Sequence, residues 1–439
     1  MKIYIETLGC PKNFNDSETA AAILEKAGHQ IIESPEDADA VMINTCGFIE
    51  DAKVESIDRI FDFIREKRDD MILIVSGCLA QRYADSLFEE MPEVDIFTGV
   101  NEYANLPDMI EKFRKSGRQW ENRPYDRDLD KLISEERKLS GPAWTSYLKI
   151  AEGCDNACAY CVIPKIRGPY RSRSMESILK EAETLAEGGC RELILIAQDT
   201  TAYGKDLYGE YKLAELLGKL CRTSGIEWIR LLYCYEERIT DDLIEVMANE
   251  DKICHYIDIP LQHVSDRMLK SMGRRSTKES IRSTISKLRE KMPDICIRTT
   301  LITGLPGETE EEFEELMDFV EETGFDRLGA FAYSREEGTR AAEMEDQIDE
   351  EVKVQRKDAL MRLQNQISLE KNRRKTGKTL EVITERKEEE GTYVGRTRAD
   401  APEIDDEVIF TSRRDISPGE IVKVKITDAF DYDITGMEV

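Results

Sequence analysis

The chain has 439 residues, 40% of them hydrophobic, which is enough for more than one domain at about 150 residues per domain. Its 62 basic and 90 acidic residues give a formal net charge of −28, which disfavours direct nucleic-acid binding and favours basic partners. No run reaches the roughly 18 apolar residues of a membrane span, and MKIYIETLGCPK does not resemble a secretion signal. We therefore expect a cytoplasmic protein without a membrane partner.

The first part of the chain alternates apolar runs with stretches of helical periodicity. The runs are KIYIETL, AVMINT and MILIVSG. Runs as continuous as MILIV suit strands that helices cover on both faces, which implies a parallel sheet. We predict a small α/β domain over residues 1–110, followed by a charged linker over residues 111–140.

A second strand and helix pattern follows the linker. Six apolar runs, each followed by a helical stretch, are YLKIAEG, ELILIAQ, WIRLLYC, YIDIPLQ, CIRTTLITG and RLGAFAYS. Six βα units predict a partial (β/α)6 barrel over residues 141–376, completed by a helix from Asp349 to about Lys375. Residues 377–439 contain short alternating runs separated by turn signals, which predict a small antiparallel β-barrel.

Cys154, Cys158 and Cys161 form a CxxxCxxC triplet directly after the first strand of the second pattern. Three thiolates at this spacing can bind one cuboidal iron–sulfur cluster and leave one iron open to an external ligand. A zinc knuckle or a chance cluster is the alternative, but zinc needs a second ligand pair, which does not follow nearby. The triplet resembles the signature of the radical-SAM superfamily, in which the open iron binds S-adenosylmethionine.

Three more cysteines follow apolar runs in the first predicted domain. Cys10, Cys46 and Cys78 are the last residues of YIETLGC, VMINTC and LIVSGC. Because the carboxyl ends of parallel strands lie at one edge of a sheet, the three thiols could converge there. Their convergence would provide a second open cluster site. A single cysteine after a strand is more often a small buried apolar residue, which is how we interpret Cys190, Cys221, Cys234, Cys254 and Cys296.

The radical-SAM resemblance also implies contacts with S-adenosylmethionine at the carboxyl ends of barrel strands. By that resemblance the contacts are Gln198, Gln262, Arg298 and Thr303. Each has a structural alternative, because the glycine-rich stretch after Thr303 can form only a turn. No side-chain acid or base is assigned a catalytic role.

Nearly the whole chain resembles the radical-SAM methylthiotransferases, through LGCPKN, NTCGFIEDAK, SGCLAQRY, CDNACAYC and LPGET. The resemblance implies two 4Fe-4S clusters, S-adenosylmethionine, a C-terminal TRAM domain, and transfer of a methylthio group to an unactivated carbon. It also implies an electron donor such as flavodoxin or ferredoxin. The predicted class is therefore a transferase that depends on iron–sulfur clusters.

Two branches of these enzymes compete, one acting on a tRNA adenosine beside the anticodon and one on an aspartate of small-subunit ribosomal protein twelve. Residues 377–439 contain nine basic and 16 acidic residues, and residues 1–110 contain nine and 23. An acidic docking face suits a very basic ribosomal protein, free or within the ribosome. CVIPKIRGPYRSR, AQDTTAYG and RADAPEID also resemble the aspartate-modifying branch.

Three alternatives stay open. DAPEID can be an ordinary acidic surface loop, and Asp406 stands where the branch would have glycine, which puts the local turn in doubt. The enzyme can belong to the tRNA branch. The chain can also be a non-catalytic iron–sulfur carrier or an RNA-binding protein.

Overall fold

The computed structural model describes residues 1–121, 129–130 and 137–439. These residues form a parallel α/β unit, a second and larger parallel α/β unit, and a closed barrel. The rest of the predicted linker, residues 122–128 and 131–136, lies outside the described residues. Among the described helices, none is long and apolar enough to cross a membrane.

The first unit is a six-stranded parallel sheet in the order β2-β1-β3-β4-β5-β6. Its strands are β1 Lys2–Thr7, β2 Gln30–Ile32, β3 Ala40–Thr45, β4 Ile72–Gly77, β5 Ile96–Thr98 and β6 Gln119–Glu121. Its helices are Pro11–Lys26, Glu50–Glu66, Cys78–Glu90 and Leu106–Ser116. Every residue of β3 and β4 is buried, because helices cover both faces, as the continuous apolar runs predict.

The first unit extends beyond the predicted boundary at residue 110. That boundary falls inside Leu106–Ser116, and β6 pairs in parallel with β5. The helix buries Leu106, Met109 and Ile110, whereas its last turn is charged. The strand Gln119–Glu121 pairs through its backbone, so its polar composition gave no strand signal.

The second unit is an open sheet of six parallel strands in the order β14-β13-β12-β11-β10-β7, which confirms the six predicted βα units. The strands of this unit are β7 Thr145–Lys149, β8 Ala151–Glu152, β9 Arg171–Ser172, β10 Glu192–Ile196, β11 Trp228–Leu231, β12 Ile253–Gln262, β13 Cys296–Thr303 and β14 Arg327–Ala332. Strands β8 and β9 form a separate antiparallel pair.

Nine helices described in this unit accompany the strands. They are Ile163–Arg167, Met175–Glu187, Lys205–Tyr208, Leu213–Leu220, Asp241–Asn249, Asp266–Ser271, Lys278–Lys291, Glu310–Thr323 and Glu350–Arg373. Leu193 and Ile229 point to this helical side and join the largest apolar core. The last helix agrees with the predicted helix from Asp349 to about Lys375.

The C-terminal unit is a closed five-stranded barrel in the order β15-β16-β17-β19-β18. Its strands are β15 Thr379–Glu389, β16 Thr392–Thr397, β17 Val408–Thr411, β18 Ile421–Ala429 and β19 Ile434–Glu438. The closed barrel confirms the predicted small β-barrel: four of its five strand pairs are antiparallel, and β17 and β19 run in parallel. A ring with an odd number of strands must contain at least one parallel pair.

This barrel packs on the sheet face opposite the helices. Ile194, Trp228 and Tyr256 alternate with the helix-facing residues and form a core with Ile383 and Ala401 of the barrel. The barrel therefore covers the inner face of the partial barrel at the amino-terminal half of its strands.

The segment DAPEID belongs to this interface and is not a surface loop. Asp400 lies 2.5 Å from Arg327, and Asp405 accepts a 2.6 Å hydrogen bond from the Tyr256 hydroxyl. The side chains of Asp400 and Asp405 are nearly inaccessible to water, and Asp406 is buried. The left-handed residue of the turn is Glu403, with φ of 68°, so no glycine is needed at position 406.

Candidate active site

Cys10, Cys46 and Cys78 lie at one edge of the first sheet. They directly follow β1, β3 and β4 or the turns that end them, and these strands are adjacent and parallel. Gly9 has φ of +91°, and a Cβ atom there would lie 2.8 Å from Cys46 Cβ. The turn that carries Cys10 thus packs directly against Cys46, and the topology brings together thiols 36 and 32 residues apart in sequence.

Asn13, in the motif LGCPKN, fixes this edge. Its Nδ2 donates to the backbone carbonyls of Leu8 and Thr45, at 2.8 and 3.0 Å. Asn44 donates in turn to the Asn13 carbonyl at 2.8 Å. Because these bonds join the ends of two neighbouring strands, they hold the turns that carry Cys10 and Cys46 at a fixed separation.

Two of the three cysteines at this edge, Cys46 and Cys78, are buried, and Cys10 is partly exposed. Burial raises the pKa of Cys78 to about 12 and also raises the pKa of Cys46, while the nearby Arg167 guanidinium acts in the opposite direction. Lys12 Nζ lies 2.9 Å from the centre of the Tyr233 ring, which belongs to the second unit. The first cysteine set therefore lies where the two α/β units meet.

The triplet Cys154, Cys158 and Cys161 occupies the loop after β8. Asn156 Nδ2 donates to Cys154 Sγ at 3.4 Å, and Ile163 N donates to Cys161 Sγ at 3.4 Å. Burial raises the pKa of Cys154 to about 11 and that of Cys161 well above its ordinary value. The loop thus presents three thiols within one short segment, with Cys154 and Cys158 buried and Cys161 partly exposed.

The surroundings of the triplet fit an iron–sulfur cluster. Three thiolates can each bind a different iron of one cubane cluster and leave the fourth iron open. Arg274 Nε and Nη1, near Cys158, are buried without hydrogen-bond partners and could face an anionic group.

The four residues predicted to contact S-adenosylmethionine have different surroundings. Gln198 donates to Glu152 at 2.6 Å and has a buried, unpartnered Oε1, which leaves an acceptor for a ligand. Gln262 ends β12 in a left-handed conformation, with φ of 71°. The hydroxyl of Thr303 donates to the Lys353 carbonyl at 3.1 Å. Their contact with the cofactor stays a prediction.

Arg298 lies farther from the carboxyl edge than the other three residues. Its guanidinium pairs with Asp258 at 3.0 Å and with Asp405 of the terminal barrel at 3.3 Å. Both carboxylate side chains are nearly inaccessible to water, so this arginine already has two buried anionic partners. Its immediate role in the structure is to bind the barrel to the sheet, and its predicted cofactor contact also stays a prediction.

A buried charge network between the two cysteine sets was absent from the sequence prediction. Lys149 and Arg167 of the second unit pair with Glu152 and with Asp16 of the first unit. All four side chains are nearly inaccessible to water. A signal was available, because Lys149 and Glu152 interrupt the apolar run YLKIAEG, and charged residues in a buried strand need partners.

Comparison with known proteins agrees with this architecture. Residues 2–99 match Uncharacterized protein family UPF0004, residues 148–320 match the Radical SAM superfamily, and residues 376–439 match the TRAM domain. Among solved structures, the radical S-adenosylmethionine methyltransferase TsrM from Kitasatospora setae aligns with TM-score 0.57 and 14% identity, over 75% of this chain and 72% of TsrM. The fold and the cysteine triplet thus define a radical-SAM enzyme with a TRAM domain.

Full-length relatives narrow the class. The chain is 49% identical over 440 residues to a ribosomal protein uS12 methylthiotransferase RimO of Clostridioides difficile, covering 99% of this chain and 98% of the relative. It is 50% identical over 436 residues to the RimO of Desulforamulus reducens, with 98% of each chain covered. The chain belongs to the RimO family of ribosomal protein uS12 methylthiotransferases, which confirms the predicted enzyme class and the aspartate-modifying branch.

Proposed function

We propose that this chain transfers a methylthio group to the β-carbon of an aspartate in ribosomal protein uS12, with S-adenosylmethionine and two 4Fe-4S clusters. The observation that carries the proposal is the presence of two separate sets of three cysteines, each at the carboxyl edge of its own parallel sheet. The full-length relatives at 48 to 50% identity are named as uS12 methylthiotransferases, which supports uS12 as the substrate.

In this proposal Cys154, Cys158 and Cys161 hold the cluster that binds S-adenosylmethionine, with Gln198 as a further contact. When bound there, the cofactor and cluster supply a radical able to remove hydrogen from an unactivated carbon. The chain orients the cofactor and excludes water. The barrel contributes to the exclusion of water, because it covers the inner sheet face around Trp228 and Tyr256.

Cys10, Cys46 and Cys78 would hold the auxiliary cluster, to which the sulfur that becomes methylated would be attached. The contact between Lys12 and Tyr233 joins the surroundings of these cysteines to the second unit, which supports a reaction site shared by the two units. An electron donor such as flavodoxin or ferredoxin delivers the reducing equivalents.

The first experiment separates the two cysteine sets. Anaerobically reconstituted Cys46→Ala should still cleave S-adenosylmethionine under dithionite but should not methylthiolate uS12, whereas Cys154→Ala should lose both activities. Cys221→Ala is the control, because Cys221 is a buried cysteine on the helical side of the second unit. Methylthiolation by Cys46→Ala would refute the role of the auxiliary cluster.

The second experiment tests the substrate. The reconstituted enzyme is incubated with uS12 or with bulk tRNA, and products are identified by mass spectrometry. A methylthio group on a uS12 aspartate is expected. Modification of tRNA alone would assign the chain to the other branch, and absence of S-adenosylmethionine cleavage would favour an iron–sulfur carrier.

A further inference from the structure

Arg167 lies between the two cysteine sets. It ends the short helix Ile163–Arg167, which begins two residues after Cys161, and its side chain is 2% exposed. Gly168 follows with φ of 77° and turns the chain back toward the triplet loop. A fixed cation is therefore enclosed where the first unit meets the second.

The guanidinium of Arg167 contacts both units with separate nitrogen atoms. Nη2 donates to Cys78 Sγ at 3.2 Å and to Asn13 Oδ1 at 2.6 Å. Nη1 donates to Asp16 Oδ2 at 2.6 Å and to Glu152 Oε2 at 3.3 Å. This fork geometry suits arginine and could not be reproduced by the single ammonium group of lysine.

The charges around Arg167 are balanced without Cys78. Lys149 and Arg167 provide two positive charges, and Asp16 and Glu152 provide two negative ones. Hydrogen bonds from both terminal nitrogens, to Asp16 and Glu152 on one side and to Asn13 and Cys78 on the other, hold Arg167 with one nitrogen toward Cys78.

The same network reaches the predicted cofactor contacts. Glu152 receives Arg167 on one carboxylate oxygen and Gln198 on the other, the second bond being 2.6 Å long. Glu152 also lies two residues before Cys154. A continuous path of hydrogen bonds therefore runs from Cys78 through Arg167 and Glu152 to Gln198.

We propose that Arg167 is a positioning residue that donates a hydrogen bond to the Cys78 sulfur and raises the reduction potential of the auxiliary cluster. This inference rests on the two-cluster part of the proposed function. A hydrogen bond and a positive charge at a ligand sulfur stabilise the reduced cluster, which is the more negative form. Removal of Arg167 should therefore make the auxiliary cluster harder to reduce.

The test uses the full chain with Cys154, Cys158 and Cys161 changed to Ala, so that a reconstituted cluster reports the auxiliary site alone. Redox titration followed by electron paramagnetic resonance gives its midpoint potential. In Arg167→Gln the ratio of reduced to oxidised cluster at the parent midpoint should fall at least tenfold, or about 59 mV for one electron. The midpoint potential of Arg167→Lys, which keeps the positive charge, should lie between those of the parent and of Arg167→Gln.

Arg173→Lys is the matched control. Arg173 is equally buried and pairs with Glu181, but its side-chain bonds go to Lys149 O, Ser177 and Glu181. The midpoint potential of the auxiliary cluster in Arg173→Lys should equal the parent value. Loss of iron from Arg167→Gln, with unchanged circular dichroism and full iron in Arg173→Lys, would also support a positioning role.

The outcomes separate the inference from the proposed function. If the parent background binds no cluster, the two-cluster proposal fails and the inference fails with it. If Arg167→Gln binds the auxiliary cluster at an unchanged potential, the inference alone is overturned. Should Arg167→Gln fail to fold, an unchanged potential in Arg167→Lys would overturn it.

Discussion

Replacement of Glu192 by glutamine should weaken the attachment of the terminal barrel. Glu192 is fully buried between Arg230 of the same sheet, at 2.9 Å, and Arg396 of the barrel. Burial alone would raise its pKa, but the two arginines outweigh this and lower the pKa from 4.5 to about 2. At about 1.4 kcal/mol per pKa unit, the interaction is worth roughly 3 kcal/mol.

Glu192→Gln leaves two buried guanidinium groups with less negative charge, so the free energy of unfolding should fall by about 3–5 kcal/mol at pH 7. Trp144 and Trp228 contact the barrel, and the chain contains only three tryptophans, so urea unfolding followed by tryptophan fluorescence reports this interface. Glu407→Gln removes an exposed partner of Arg386 and should change stability by less than about 1 kcal/mol.

The pH dependence gives a second check. Because folding lowers the pKa of Glu192, its contribution is present above pH 4.5 and is lost as pH falls from there toward 2. The difference in the free energy of unfolding between wild type and Glu192→Gln should therefore become smaller as pH falls over that range. An unchanged unfolding midpoint at pH 7, or a difference that grows in acid, would refute this account of the interface.

Two further variants test local geometry. Burial raises the pKa of Asp406 to about 7, so the contribution of this residue to the free energy of unfolding is lost as pH rises from about 4 through 7. Asp406→Asn should lack this loss of stability. Thermal unfolding of both proteins between pH 4 and 8 measures the difference. Gly153→Ala places a Cβ atom 2.0 Å from the Pro169 carbonyl oxygen and should release iron from the triplet site. Gly189→Ala is the control for backbone strain, because Gly189 has φ of +98° but no atom lies within 4 Å of the added Cβ. Equal iron content in the two glycine variants would contradict the prediction for Gly153. A pH profile of Asp406→Asn parallel to that of the wild type would contradict the prediction for Asp406.

The sequence predicted the longer strands with apolar runs and missed the strands of only three residues. All six strands of the second sheet carry apolar runs and were identified. Strands Gln30–Ile32, Ile96–Thr98 and Gln119–Glu121 are three residues long, too short for a periodic pattern. Each extends the first sheet through parallel backbone pairing that only the folded chain provides.

The cysteine sets were predictable because their spacing, or their position after apolar runs, is visible locally. The network around Arg167 was not, because Asn13 and Asp16 are more than 150 residues from it along the chain. A charged residue in a sequence is more often exposed than buried. Only the fold shows that four such residues share one dry interface.

The buried aspartates also change how net charge bears on substrate choice. Asp400, Asp405 and Asp406 contribute to the acidity of the barrel sequence, but their charges face Arg298 and Arg327 and are unavailable to a partner. The acidic residues that a basic protein could meet are exposed ones, such as those at positions 388–390. DAPEID therefore holds the barrel to the sheet, and only the exposed carboxylates are available to attract a basic partner such as the proposed substrate uS12.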